Sequence, residues 1–202
     1  DGIWCHPEKS ADNNVCAADE YDFVKLAVAD GNVGVGNGLG TPRAIDVDGN
    51  GTVDYAYAGD RFGNLFRFDL RNPDPSLWTS TLIYSTSYDN PNTLAIETEA
   101  QPITTKPLVV PHPTVKTGAD CGAYDFTNNL VPNLCGGYIV VFSTGSYLYE
   151  DDDTSKSVQS IYGIWDRLGS TKVPKTDLVE QSFTAFTGDA NVGAGRTLSE
   201  NP

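Results

Sequence analysis

Residues 53–70, VDYAYAGDRFGNLFRFDL, decide the fold class of this chain. Val53, Tyr55 and Tyr57 alternate with small or acidic residues, which is the period of a half-buried strand. The residues LFRFDL at 65–70 alternate in the same way, and GDRFGN between the two runs supplies turn residues. The stretch therefore predicts a β-hairpin.

Short alternating or apolar segments continue on the C-terminal side, and none has the capped apolar stripe of a helix. They predict strands within 80–87, 106–112, 138–142, 146–149, 158–166 and 178–188. Glycine, proline, asparagine and aspartate separate these segments, which is typical of turns and long loops. Short strands with long loops predict an all-β domain, either a sandwich or a propeller.

A weak internal repeat favours the propeller. Residues 54–70 and 138–152 each read as an apolar strand, a turn containing glycine and a second aromatic-rich strand. Self-similarity without a fixed period is typical of propeller blades with variable insertions. Two unrelated hairpins in a sandwich are the alternative.

The charge balance limits the classes of molecule that the chain can bind. The 202 residues include 13 Lys and Arg against 27 Asp and Glu, which gives a net charge of -14. Such a surface repels nucleic acid and anionic lipid, and it favours divalent cations. The chain has no apolar run near the ~20 residues of a membrane-spanning helix. It also lacks a leader sequence and any methionine, so we expect an internal or processed piece of a longer protein.

The four cysteines lie as two local pairs, Cys5 with Cys16 and Cys121 with Cys135. Sequence alone does not choose the connectivity, but the short loops favour 5–16 and 121–135. Neither spacing is that of a zinc site. Disulfides in loop-rich acidic chains indicate the periplasm or the cell exterior, and four buried free thiols are the alternative.

Residues 46–54, DVDGNGTVD, match the first nine places of a calcium loop. Oxygen ligands fall at every second place, and Gly51 lies at the sixth, where the chain must turn sharply. Ca²⁺ prefers such oxygen ligands, whereas Mg²⁺ requires tighter octahedral geometry. The predicted ligands are the side chains of Asp46, Asp48, Asn50 and Asp54 and the backbone carbonyl of Thr52.

This loop departs from an EF-hand. Its twelfth residue is Tyr57 where an EF-hand has glutamate, and it runs into a strand where an EF-hand has a helix. A solvated acidic turn is the alternative, although it does not explain three carboxylates held close together. The acidic run EDDD at 150–153 is expected to be a solvated loop in preference to a second ion site.

The chain has no nucleophile elbow, metalloprotease motif or phosphate loop. Its only histidines are His6 and His112, and the latter lies between two prolines, which favours an exposed rigid loop. Tyr162 and Trp165 could line a ligand groove, but alternating aromatic residues in a strand are more often core. We therefore expect no enzymatic activity and no catalytic residues.

Three stretches resemble the C-terminal β-propeller of type IV pilus tip-associated PilY/PilC proteins. They are 41–70, VVFSTGSYL at 140–148 and SIYGIWD at 160–166. In that family an acidic D-x-D loop precedes a strand pair with a Y-x-G-D-x-x-G-N pattern. The matching positions here are Tyr57, Gly59, Asp60, Gly63, Asn64, Leu65, Phe66, Arg67 and Asp69. The cysteine-bearing segments match poorly.

The resemblance implies a modified seven-bladed propeller, of which residues 1–202 supply part of a single C-terminal domain with long disulfide-bearing loops. The N-terminal region of such proteins is absent from this sequence. The resemblance further implies a secreted protein at the pilus tip and the outer-membrane surface. It would use Ca²⁺ to balance pilus extension against retraction, support assembly with minor pilins, and adhere to a host or other surface receptor.

Two other propeller classes share parts of the pattern. FG-GAP propellers carry a similar calcium loop before a similar strand, but they do not predict SIYGIWD at 160–166. Quinone-dependent dehydrogenases share the GD-x-x-G-N-L turn, but their central cofactor site has no counterpart in this sequence. A secreted calcium-binding propeller or a propeller enzyme therefore stands as the alternative function.

Overall fold

The computed structural model describes residues 23–28, 36–86, 88–89, 98–112, 136–186 and 195–199. Within these residues there are strands and short 3-10 helices but no α-helix, in agreement with the predicted all-β class. The strands are β1 (Arg43–Ile45), β2 (Tyr55–Gly59), β3 (Asn64–Asp69), β4 (Thr79–Ser85), β5 (Tyr88–Asp89), β6 (Thr98–Glu99), β7 (Leu108–Pro111), β8 (Tyr138–Ser143), β9 (Ile161–Asp166), β10 (Phe183–Phe186) and β11 (Gly195–Leu198).

The first sheet is an antiparallel meander in the order β1-β2-β3-β4. Its centre is the predicted hairpin, with Tyr57 opposite Arg67. The first strand of that hairpin begins at Tyr55 and not at Val53, whose side chain is 42% exposed in the preceding loop. The turn is fixed by the buried Asp60, whose Oδ1 accepts the backbone N–H groups of Phe62 at 2.9 Å and Asn64 at 2.8 Å.

The second sheet has the order β7-β8-β9 and is also antiparallel. The predicted strand at 146–149 is wrong, and so is the repeat that paired it with β8. The partner of β8 is β9, with Tyr138 opposite Asp166. Residues 147–149 are exposed, and a bend at 148–149 leads into the 3-10 helix Glu150–Asp153. The amides of Leu148 and Tyr149 bond the Asp152 carboxylate at 2.6 and 3.0 Å, so they are not available to a strand ladder.

The main core lies between these two sheets. One face of the first sheet meets one face of the second, and burial of their apolar side chains supplies the attraction. The buried members are Tyr55, Tyr57, Leu65, Ile83, Tyr84, Ile103, Val109, Tyr138, Val140, Phe142 and Ile164. The opposite face of the first sheet buries Ala58, Phe66 and Phe68 against a segment that includes Leu26 and Val28. The central strands β2 and β3 are therefore covered on both faces.

A buried ion pair also joins the two sheets. Arg67 on β3 donates from Nη1 to Oδ1 of Asp166 on β9 at 2.7 Å, and both side chains are nearly inaccessible. The hydroxyl of Tyr57 donates to the other oxygen of Asp166 at 2.9 Å. Burial and then the negative charge of Asp166 raise the pKa of Tyr57 far above its ordinary value. The pair fixes how the sheets are aligned, because each charge requires its partner when water is excluded.

The other predicted strands are present in the structure. Strands within 80–87, 106–112, 138–142, 158–166 and 178–188 are present as β4, β7, β8, β9 and β10. The short strands β1, β5, β6 and β11 were not predicted. All four cysteines, and with them the pairings 5–16 and 121–135, lie outside the described residues. In the part of the chain that the structure describes, no helix has the length and apolar character needed to cross a membrane.

Candidate metal centre

The acidic loop occupies residues 46–54, between β1 and β2. Its two ends are held together, because Ile45 lies opposite Tyr55 in the strand pair and the Asp54 N–H donates to the Ile45 carbonyl at 2.9 Å. The sheet thus closes the base of the loop, and the intervening residues project from the end of the sheet.

The loop brings three of the predicted ligands together. Asp46, Asp48 and Asp54 each present one carboxylate oxygen, and these oxygens lie within 4.8 Å of one another. Within the described ranges, this is the one group of three or more acidic, histidine or cysteine side chains with that geometry. Like charges at such separations repel, and a cation between them relieves the repulsion. The donors are hard oxygens, so the set fits Ca²⁺.

Backbone amides shape the loop around Asp46. Its two carboxylate oxygens accept the N–H groups of Gly49 at 2.7 Å and Gly51 at 2.8 Å. The hydrogen bond from Gly51 is the largest cause that lowers the pKa of Asp46 below its ordinary 3.8. Both glycines have positive φ, 74° and 89°, a conformation that other residues adopt only at a cost. The sequence therefore places glycine where the chain must fold back over the carboxylate.

Asn50 and Thr52 lie in the same loop, but Asn50 is engaged internally. Its amide nitrogen donates to Asp48 at 2.8 Å, and its side-chain oxygen accepts the Thr52 N–H at 2.7 Å. The five predicted residues thus share one loop, in which the carboxylates of the three aspartates converge.

Asp54 differs from the other two aspartates because it is buried. Its residue is 8% exposed, whereas Asp46 and Asp48 are exposed. One of its oxygens accepts the Val47 N–H at 2.6 Å, and the Val47 side chain packs against the main core. The candidate site therefore has a solvent side and a side that borders the core between the sheets.

The other acidic candidate has a structural use. Asp152, in the run 150–153, accepts the Ser146 hydroxyl at 2.7 Å as well as two backbone amides. These bonds, first of all the one from Ser146, lower its pKa. Asp152 also lines a cavity of about 340 Å³ between the segments 100–102 and 145–159. Residues 150–153 form a 3-10 helix in which Asp152 is partly buried and hydrogen-bonded, so this part of the run is not the solvated loop that was expected.

The aromatic and histidine candidates also have structural surroundings. Tyr162 packs against the core and stacks on Phe142 with ring centroids 5.4 Å apart. The ring of His112 stacks on Trp165 at 4.0 Å, and the guanidinium of Arg167 also lies 4.0 Å from the centre of the Trp165 ring. His112 is thus partly covered and not the fully exposed loop residue that its flanking prolines suggested.

Sequence reasoning missed the buried pair Arg67 and Asp166. Both lie in motifs that the family resemblance used, yet neither was assigned a role. The available indication was a charged residue at an inward position of each strand, one positive and one negative. Their separation of 99 residues hides the pairing from any local pattern.

Comparison with known proteins places this chain among pilus proteins. A family model described as the PilY1 beta-propeller domain matches residues 21–184. The Type IV pilus biogenesis factor PilY1 of Pseudomonas aeruginosa strain UCBPP-PA14 is 33% identical over 199 residues, which cover 84% of this chain and 15% of the relative. A PilY1 homolog of Xylella fastidiosa strain Temecula1 is 33% identical over 171 residues, covering 81% of this chain and 10% of the relative.

These similarities confirm the predicted β-propeller class and the resemblance that suggested it. The relatives are named as pilus biogenesis factors, and their names state no enzymatic activity. The chain spans a small fraction of their length. No solved structure gives a significant match to it.

Proposed function

The chain belongs to the PilY1 β-propeller family, and from that premise we propose that it is a calcium-binding module of a type IV pilus-associated protein. The observation that carries the proposal is the convergence of the Asp46, Asp48 and Asp54 carboxylates within 4.8 Å. Asn50, through its side-chain oxygen, and Thr52, through its carbonyl, would complete the protein ligands. Bound Ca²⁺ would supply positive charge that offsets the mutual repulsion of the carboxylates.

The role of the protein's own residues in this proposal is to hold the loop ready for the ion. The Gly49 and Gly51 amides fix the orientation of Asp46, and the Val47 amide fixes that of Asp54. A loop organised in this way loses less conformational entropy when the ion binds. Ion binding to the folded chain would in turn stabilise it against unfolding.

For the whole protein we propose a role in type IV pilus biogenesis, at the cell surface and peripheral to the outer membrane. The names of the relatives support this role. Control of extension and retraction, twitching motility and surface adhesion are the finer functions we propose, with minor pilins at the pilus tip and a host or surface receptor as partners. The net charge of -14 supports protein partners over nucleic acid.

Calorimetric titration of the 202-residue chain with CaCl₂ tests the ion site. We expect saturable binding by the wild type and none by Asp48→Ala. The matched control is Asp153→Ala, which removes an exposed carboxylate from the other acidic run and should bind as the wild type does. Equal binding by wild type and Asp48→Ala would refute the assignment, and loss in the control instead would move the site to residues 150–153.

The pilus role is tested in the organism that encodes the chain. Replacing the chromosomal copy with Asp48→Ala should alter the number of surface pili or twitching motility, while Asp153→Ala should leave both unchanged. Normal piliation and motility after deletion of residues 36–186 would contradict the proposed role.

A further inference from the structure

The cavity of about 340 Å³ lies at the end of β2 that is remote from the acidic loop. The acidic loop joins the start of β2, whereas Asp60 follows its end. The Asp60 carbonyl accepts the N–H of Ile103 at 2.8 Å, and Pro102 beside it lines the cavity. The facing wall is joined to the same segment, because the Gly145 N–H donates to the Pro102 carbonyl at 2.8 Å. The cavity is therefore separate from the proposed calcium site.

The most buried of the described residues that line the cavity is Gln101, which is 3% exposed. Its Nε2 donates to the Val158 carbonyl at 2.8 Å and to the Ser160 hydroxyl at 3.2 Å. Its Oε1 accepts the Tyr162 hydroxyl at 2.8 Å. Because both ends of this side chain are hydrogen-bonded, the base of the cavity keeps its shape before a ligand arrives.

The wall formed by residues 155–159 is exposed and weakly bonded within itself. The Ser155 hydroxyl donates to the Ser157 hydroxyl at 3.2 Å, and it accepts the Ser157 N–H at 3.4 Å. The Gln159 Nε2 donates to the Ser157 carbonyl at 3.4 Å. These distances exceed those of ordinary hydrogen bonds, so a ligand replaces them at little cost. The cavity thus combines a fixed base with a rim of hydroxyl and amide groups.

The chemistry of the lining restricts the class of ligand. Its polar side chains are those of Gln101, Ser146, Asp152, Ser155, Ser157 and Gln159. An apolar ligand would cover these groups without pairing them, which costs free energy. An anion would be repelled by the Asp152 carboxylate, and no lysine or arginine is among the described lining residues. A metal ion would find one carboxylate, which is too few for its coordination.

We propose that this cavity binds a neutral saccharide. Sugar hydroxyls both donate and accept hydrogen bonds, as the serine hydroxyls and glutamine amides of the lining do. The apolar lining residues Pro102 and Val158 suit the C–H groups of a sugar ring. The volume is at the lower end of the range of about 300–1,000 Å³ for small-molecule sites, which fits a short saccharide. The proposal goes beyond the calcium site and does not rest on it.

Heteronuclear NMR of the 202-residue chain tests the proposal. The neutral probes are the methyl glycosides of glucose, galactose, mannose and N-acetylglucosamine, and N-acetylneuraminic acid is the anionic probe. At least one neutral probe should shift the backbone amides within 100–102 and 145–159. We expect a Kd of about 1 mM, as for other ligands with so few atoms. The anionic probe should leave these amides unchanged.

Two pairs of variants locate the site. Ser157→Trp fills the cavity and should abolish the shifts, whereas Ser170→Trp places the same ring at an exposed position outside the lining and should bind as the wild type does. Gln159→Ala removes one lining amide and should weaken binding about three- to tenfold. Its matched control, Gln181→Ala at another exposed position, should change affinity less than about twofold.

The outcomes decide between this site and others. Absence of shifts with every neutral probe overturns the proposal, and so does binding of N-acetylneuraminic acid as tightly as the neutral probes. Shifts that persist in Ser157→Trp would place the sugar elsewhere and would also overturn it. The amide resonances outside 100–102 and 145–159 report whether each variant is folded. Calcium binding is measured separately, so either site can fail while the other stands.

Discussion

The two main sheets are both antiparallel meanders, and they differ in the connection that follows the first strand of each. Each begins with a strand that pairs with the next in an antiparallel meander, β1 with β2 and β7 with β8. In the first sheet, residues 46–54 make that connection and carry the acidic loop; in the second, residues 112–137 make it and carry Cys121 and Cys135. The connection after the first strand of each sheet thus accepts very different sequences, although in the first sheet Val47 of this connection packs against the main core.

The residues that hold the two sheets together lie on the faces that meet. Tyr55 and Tyr57 on one side meet Tyr138 on the other, and Arg67 meets Asp166. These residues fill positions that face inward by the alternation of a strand. Connections can therefore differ widely in sequence while the inward positions preserve the fold.

The largest expected effect comes from breaking the contact between the sheets. Asp166→Asn leaves the Arg67 guanidinium buried without a countercharge, which should lower the free energy of unfolding by about 3–5 kcal/mol. Urea unfolding measures it. The control Asp177→Asn, at an exposed position in a 3-10 helix, should change it by less than about 0.5 kcal/mol. Similar losses in both variants would show that the buried pair contributes no more to the free energy of unfolding than an exposed aspartate does.

The next largest effect on stability is expected in the acidic loop between β1 and β2. Gly51→Ala forces a side chain into φ 89°, although a Cβ there meets nothing within 4 Å, so the cost is backbone strain of about 1–2 kcal/mol. Gly163→Ala in β9 is the matched control, because its Cβ would also meet nothing within 4 Å and its φ lies outside the positive range.

Thermal unfolding of both glycine variants, with and without CaCl₂, makes the comparison. Gly163→Ala should be neutral or slightly stabilising, and it should keep the calcium-dependent rise in Tm. Gly51→Ala should lower Tm and reduce that rise. If the two variants behave alike, the conformation of Gly51 does not hold the loop.

The smallest effect is a pH dependence of the loop without calcium. The folded pKa of Asp46 is lowered from 3.8, first by the Gly51 amide. A lowered pKa means that this contribution to stability is fully present above the unfolded pKa and is lost as pH falls through the folded value. The Gly51 amide resonance in NMR should therefore titrate with a midpoint below 3.8, and Asp46→Asn should abolish the titration. A midpoint above 3.8 would contradict a hydrogen bond from the Gly51 N–H to the Asp46 carboxylate.

Local patterns predicted the fold class and the loop because both depend on neighbours in sequence. The alternation of Tyr55 and Tyr57 specifies a strand, and the aspartate spacing with Gly51 specifies a turn around a charge. The prediction of a strand at 146–149 failed because apolar and aromatic residues in a sequence do not show where the backbone amides form hydrogen bonds. In this case they bond Asp152.

Contacts between the sheets could not be predicted from local patterns. Tyr138 is an ordinary strand residue until the fold brings its ring to Tyr55 and Tyr57, and Arg67 meets Asp166 only across the two sheets. The burial of Asp54, which distinguishes it from Asp46 and Asp48, is also a property of the assembled core. Spacing predicted which residues could bind an ion, and packing determines which of them are held in place.

The proposed calcium site is tested by a crystal structure of the chain grown with CaCl₂, with anomalous diffraction recorded to locate the ion. One anomalous peak is expected between the Asp46, Asp48 and Asp54 carboxylates, with oxygen ligands at about 2.3–2.6 Å. A structure from the same crystals in which this loop holds no ion, or in which calcium binds only at residues 150–153, would contradict it.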